Sequence, residues 1–286
     1  MDTQYVISFM SANFVARELG YRLPHGWAQG DGATQDHFRP PATFAERFDE
    51  MLGDVQALGF DAIDLWGAHL HYSWATSEQM KVARRLLDRR GLRVVSYAAW
   101  VPGGEAELRA ACRVCREIGA PLIGGYVEMV SRDREAAVRI LRENAVAYGH
   151  ENHKEKTAAE MMARIGEGDR DVIGVTIDTG WLATMGCDLF AMVCSIAPRM
   201  IHLHLKDVKA RRPKKTGLEL VDLGHETCRP GTGIVPVEAL VKLLPALGYR
   251  GAISIEHEPE EFDPRADCQA ALRDVRAWLA DAAGEA

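Results

Sequence analysis

At 286 residues and 47% apolar content, the chain can bury a large core and has the composition of an ordinary globular protein. A formal net charge of -7 argues against nucleic acid or an anionic membrane surface as the main partner, because both are held by clustered positive charge. There is no uninterrupted apolar run of membrane-spanning length and no basic, apolar, then small-residue opening, so a cytoplasmic protein with no membrane partner is expected.

Tyr5 to Met10 is the first predicted strand. The following stretch, 11–41, is rich in Gly, Asn, Asp and His and carries the aromatics Phe14, Tyr21, Trp27 and Phe38. It is expected to be a long ordered loop, a lid or substrate wall, because long loops in compact domains are usually functional or disordered and aromatics argue against disorder. From Thr43 the spacing of Phe44, Phe48, Met51, Leu52 and Val55 predicts a helix that Gly59 stops. Phe60 to Trp66 reads as a second strand, followed by a polar and aromatic segment with His69, His71 and Trp74.

A helix capped by Thr76 or Ser77 and ended by Gly91 leads to a third strand, Leu92 to Ala99, which runs into Trp100. The helix that follows carries Cys112 and Cys115. With no second cysteine pair to complete a zinc site, they are expected to be structural thiols. Strands are predicted at Pro121 to Val127, Val146 to Glu151, Val172 to Asp178, Met200 to Leu205 and Gly251 to Glu256, each preceded by a helical pattern. A helix over Asp263 to Ala280 closes the chain, and between the last two strands lies a polar segment with the basic run Lys209, Arg211, Arg212, Lys214 and Lys215.

Eight strands alternating with helices predict an α/β fold, a (β/α)8 TIM barrel in which 1–286 is a single domain. An open doubly wound sheet would more often carry a glycine-rich phosphate turn after its first strand, and none is present. Four of the predicted strands carry a metal-ligand type at or next to their C-terminal end: Glu151, Asp178, His204 and Glu256. In a barrel those ends converge on one mouth. Four buried ionisable groups would be costly unless paired or bound to a cation. Three carboxylates and an imidazole suit one divalent ion: manganese, magnesium, cobalt or zinc. Trp66, His71, Trp100 and Trp181 lie at strand ends on the same face, where aromatic planes suit the apolar faces of sugar rings. Lys206 is expected either to point into the mouth or to pair with Asp207.

E-N-H at 151–153, D-T-G at 178–180, H-L-H-L-K-D at 202–207 and I-S-I-E at 253–256 resemble the sugar phosphate isomerase/epimerase superfamily, the xylose-isomerase-like barrels. The resemblance covers nearly the whole chain. It implies Glu151, Asp178, His204 and Glu256 as the ligands of one metal ion, manganese first, with His202 packed one layer deeper. It also implies a sugar substrate and proton abstraction beside its carbonyl, with Glu151 and Glu256 acting from opposite faces and His153 as a competing base. The segment from Val127 to Glu151 is short for the family, which implies a brief fourth helix or a trimmed fifth strand.

A-N-F-V-A-R, G-W-A-Q-G-D-G-A-T and D-L-W-G-A-H-L further resemble the large (alpha) subunit of C-glycoside deglycosidases, carbon–carbon lyases acting on 3-oxo-C-glycosides. That branch implies assembly with a small β-sandwich partner subunit, and an oligomer is expected in either case. An endonuclease IV-like nuclease would need more ligands and a basic DNA-facing crescent. A barrel that binds a sugar without turning it over is the non-catalytic alternative.

Overall fold

The computed structural model describes residues 5–213 and 219–284, so Lys214 and Lys215 of the basic run lie outside the described residues. The apolar runs form short buried strands: β1 (Ile7–Met10), β2 (Ala62–Trp66), β3 (Arg93–Val101), β4 (Leu122–Val127), β5 (Ala147–Glu151), β6 (Ile173–Asp178), β7 (Met200–Ala210), β8 (His225–Cys228) and β9 (Ala252–Glu256). β1 to β7 pair in parallel in chain order. β9 then joins β7 to β1, which closes an eight-stranded parallel barrel. All eight strand ends therefore open at one mouth, which an open sheet would not allow.

The helices begin with α1 (Trp27–Phe38), α2 (Pro41–Ala57), α3 (Ser77–Arg90), α4 (Glu105–Ile118), α5 (Met129–Arg132) and α6 (Arg134–Asn144). They continue with α7 (Ala158–Ile165), α8 (Thr179–Thr184), α9 (Leu189–Ile196), α10 (Glu219–Asp222), α11 (Val237–Leu243) and α12 (Arg265–Gly284). Most of the longer helices bury one apolar stripe on the barrel: Phe44, Phe48, Met51, Leu52 and Val55 in α2, and Leu108, Ala111, Cys115 and Ile118 in α4. Cys112 and Cys115 are buried free thiols of α4, and burial pushes both up, Cys112 to about 12, so neither is a ready thiolate. Thr76 caps α3 through a reciprocal box with Gln79. The short segment before Glu151 holds the four-residue α5, the eleven-residue α6 and the five-residue β5.

Two segments differ from expectation. Residues 11–41 are not an irregular loop. They hold two 3-10 turns, Ser11–Phe14 and Arg17–Leu19, and the twelve-residue α1. Glycines at 30 and 32 mask this helix in the sequence, yet Gly30 is required by close packing: a Cβ there would meet the Val15 carbonyl at 2.4 Å. The second difference follows Lys206, where β7 runs on to Ala210 instead of ending in a loop. Its unsatisfied edge pairs antiparallel with β8, Asp207 opposite Cys228. Among the described residues, no helix is long and apolar enough to cross a membrane.

Candidate metal centre

The barrel register sets the site. β6 aligns Asp178 with His204 on β7, β7 aligns Lys206 with Glu256 on β9, and β5 ends in Glu151. The ligand atoms of Glu151, Asp178, His204 and Glu256 all lie within 4.8 Å of one another. Glu151 is the most open of the four, with a side chain 11% exposed, whereas those of Asp178 and His204 are fully buried.

Each member is held by a specific partner. Asp178 caps α8, its Oδ1 accepting the Trp181 N–H, and its backbone is gripped on both sides by the Asn152 amide. Asn13 does the same around Glu256, donating to the Ile255 carbonyl and accepting the His257 N–H. His204 Nδ1 donates to Glu151 Oε1 at 2.8 Å and lies 2.9 Å from Glu256 Oε2. A single ring N–H cannot serve both, and Glu256 Oε2 is left buried without a hydrogen bond, as is Asp178 Oδ2.

Beneath His204 sits Asp64, a residue that sequence patterning passes over because it lies in the middle of a strand. Its Oδ2 accepts from His204 Nε2 at 3.0 Å, His202 Nε2 at 2.6 Å and Ser254 Oγ at 2.9 Å. A carboxylate behind one ring nitrogen orients the imidazole, so that the other, once it gives up its proton, faces a cation. Burial pushes the Asp64 carboxyl up, but His202 and His204 outweigh it and hold it ionised. His202 is thus bonded beneath the cluster, with Asp64 between it and His204.

Lys206 does not pair with Asp207. Its buried ammonium lies 2.7 Å from Glu256 Oε1, 2.7 Å from Glu258 Oε2 and 3.7 Å from Asp178 Oδ2. Asp207 is occupied elsewhere, accepting backbone N–H groups from Val208, Gly231, Gly233 and Val235. Glu258 is the second residue that strand patterning misses, since it lies past the end of β9. It is tied to α1 by the Trp27 indole N–H.

Burial dominates the charges here. It pushes the Asp178 carboxyl up to about 8, with Lys206 opposing and Glu256 and Glu151 reinforcing. In Glu151 and Glu256 burial also pushes upward but is outweighed, by His204 for Glu151 and by Lys206 and His204 for Glu256, so both stay ionised. Negative groups outnumber positive ones, and two buried oxygens lack partners. That donor set fits one divalent cation at Glu151, Asp178, His204 and Glu256.

Aromatic side chains form two walls. Trp27 and Trp66 pack with centroids 5.0 Å apart beside Glu258. On the other side Trp100 stacks on Tyr126 at 4.3 Å, and His153 lies between Trp100 and Trp181 at 6.5 and 5.1 Å. His71 stands apart, bonded to Ser73 and stacked on Tyr72.

The family model of the xylose isomerase-like TIM barrels matches residues 52–282. The chain belongs to this family. Among curated relatives, it is 30% identical over 123 residues to an inosose dehydratase of Geobacillus thermodenitrificans, a match that spans 41% of each chain. It is 25% identical over 261 residues to the rhizopine catabolism protein MocC of Rhizobium meliloti, spanning 76% of this chain and 77% of that one. A xylose isomerase-like TIM barrel protein from Mycobacterium smegmatis, solved in complex with magnesium, superposes with a TM-score of 0.67 at 18% identity over 98% of both chains. β1, α1 and the Trp27 contact lie outside the span of the family match.

Proposed function

We propose that the protein is a divalent-cation-dependent enzyme that removes a proton from the carbon beside a carbonyl in a sugar or cyclic polyol, in the manner of the isomerases and epimerases. The observation that carries this is the cluster of three carboxylates and one imidazole at the barrel mouth, with two buried oxygens unpartnered. A cation there, manganese first and magnesium, cobalt or zinc next, supplies positive charge that polarises a carbonyl and acidifies the adjacent C–H.

The chain's own groups do the rest. Glu151, the most open of the four, is placed to take the proton at its free carboxylate oxygen. Glu256 reaches in from β9, with β6 and β7 between it and Glu151, so the two carboxylates approach a bound ring from different sides. Lys206 keeps Glu256 ionised. His153, between Trp100 and Trp181, is a second group able to hold a proton near the ring. Trp66, Trp100 and Trp181 cover apolar ring faces and exclude water, and His71 lies behind them through Tyr72, whose hydroxyl donates to the Trp100 carbonyl. The relative named inosose dehydratase favours a cyclic polyhydroxy ketone over an open-chain ketose, since loss of water from such a ring begins with the same deprotonation.

The test is solvent deuterium exchange, followed by proton NMR, with the manganese-loaded protein and a panel of inososes, 3-oxo-glycosides and ketoses. One C–H beside the carbonyl should exchange, and Glu151→Gln should slow it by about 100-fold or more. Exchange that survives Glu151→Gln unchanged would sink the assignment. A second reading, a carbon–carbon lyase acting on 3-oxo-C-glycosides with a small β-sandwich partner, is favoured by Trp100, which is 58% exposed and stacked on Tyr126 as a platform for an aryl group. Turnover of a 3-oxo-C-glucoside only when such a partner is supplied would select it.

A further inference from the structure

Beside the four-residue centre lies a second set of carboxylates, Asp178, Glu256 and Glu258, gathered around the Lys206 ammonium. The distances are 3.7, 2.7 and 2.7 Å, and the Lys206 side chain is only 2% exposed. Two of the three are shared with the first centre, and Asp178 Oδ2 is fully buried, without a hydrogen bond, and turned toward this group. Three carboxylates around one buried positive charge supply the oxygens that a hard divalent cation takes, and with the ammonium between them these oxygens do not all lie within 4.8 Å of one another as the ligand atoms of the first centre do.

The surrounding sequence builds a slot for that lysine. Thr179 Oγ1 donates to the Lys206 carbonyl at 2.5 Å and accepts its N–H at 3.0 Å. Gly180 leaves room for the stem, since a Cβ there would meet Lys206 Cγ at 2.7 Å. The D-T-G motif therefore supplies a ligand, a backbone clamp and a groove, and Trp27 fixes Glu258 from the far side.

We infer that Lys206 is a resident cation that occupies what would otherwise be a second divalent-metal site, and thereby sets the metal count of this barrel at one. The inference rests on the four-residue centre proposed above. An ammonium supplies one positive charge that cannot dissociate from the chain. It is shared between Glu258 Oε2 and Glu256 Oε1, and leaves Glu256 Oε2 and Asp178 Oδ2 for the first ion.

The experiment is equilibrium dialysis against manganese, with bound metal counted by elemental analysis and the Mn2+ paramagnetic resonance spectrum recorded. Wild type, K206A, K206M and K206A/E258Q are compared. Wild type should bind one ion with an uncoupled six-line spectrum. K206A should bind two and show the broadened spectrum of a coupled pair. K206M, which fills the slot without charge, and K206A/E258Q, which lacks the third carboxylate, should each bind one. One ion in K206A, or two in wild type, overturns the inference and leaves the first centre standing; none in wild type removes both. Because the inference makes the ammonium replaceable by a metal ion, a K206A chain that will not fold in saturating manganese also overturns it.

Discussion

Replacing Asp64 with Asn isolates the support beneath the centre from the centre itself. Asp64 Oδ2 receives three buried donors, His202 Nε2, His204 Nε2 and Ser254 Oγ, at 2.6, 3.0 and 2.9 Å. The amide keeps an oxygen in that place but loses the charge. Hydrogen bonds to charged groups contribute about 1.5–3 kcal/mol against about 0.5–1.5 for neutral ones, so the three contacts together lose on the order of 3 kcal/mol. For cation binding the expected loss is about 10- to 100-fold, the usual effect of removing the carboxylate behind a metal-bound histidine, or about 1.4–2.8 kcal/mol. Calorimetric titration with manganese reads the affinity, and thermal melts with and without the ion read the stability. Affinity and melting temperature both equal to wild type would refute the role assigned to Asp64.

Three further outcomes are expected. The Asp178 carboxyl, pushed to about 8, retains in the cation-free fold a proton that the unfolded chain releases near its ordinary value of 3.8. Through that window cation-free stability falls as pH rises, whereas manganese affinity climbs. Burial lowers the His204 pKa, but Glu151 and Glu256 outweigh it and hold it well above its ordinary value. Titrations in buffers of different ionisation enthalpy should therefore show release of the Asp178 proton and the His204 Nδ1 proton per ion at pH 6, and chiefly the His204 proton at pH 8.5. Burial lowers His69 to about 3 and His257 to about 4. The unfolded chain takes up those protons near 6.5 and the fold does not, so stability is lost as pH falls below 6.5, and His257→Asn should make that acid limb shallower in urea melts. Asn13→Ala removes both backbone bonds that bracket Glu256 and should cost about 1–3 kcal/mol in chemical denaturation, with weakened manganese binding.

Much of this arrangement was legible in the chain because a buried parallel strand is a short apolar run and a polar residue closing that run stands toward the mouth. V-T-I-D, H-L-H and I-S-I-E each state both facts at once, and the three residues they deliver converge with Glu151. What stayed hidden depends on tertiary partners. Asp64 sits among apolar neighbours in A-I-D-L-W, where nothing local distinguishes a carboxylate bonded to two histidines 138 and 140 residues away. Glu258 lies beyond the strand end, and only the closed register of β7 with β9 carries Lys206 to it. Helix α1 lacks an apolar stripe, and of its two glycines, which ordinarily mark breaks, Gly30 serves close packing on Val15. β8 is four residues long and forms only because β7 offers it an open edge.

The most direct measurement of the central claim is an anomalous difference map from a crystal soaked in manganese. It should show one peak bonded to Glu151, Asp178, His204 Nδ1 and Glu256. A soaked crystal with no peak there, or with the ion held by other residues, would contradict it.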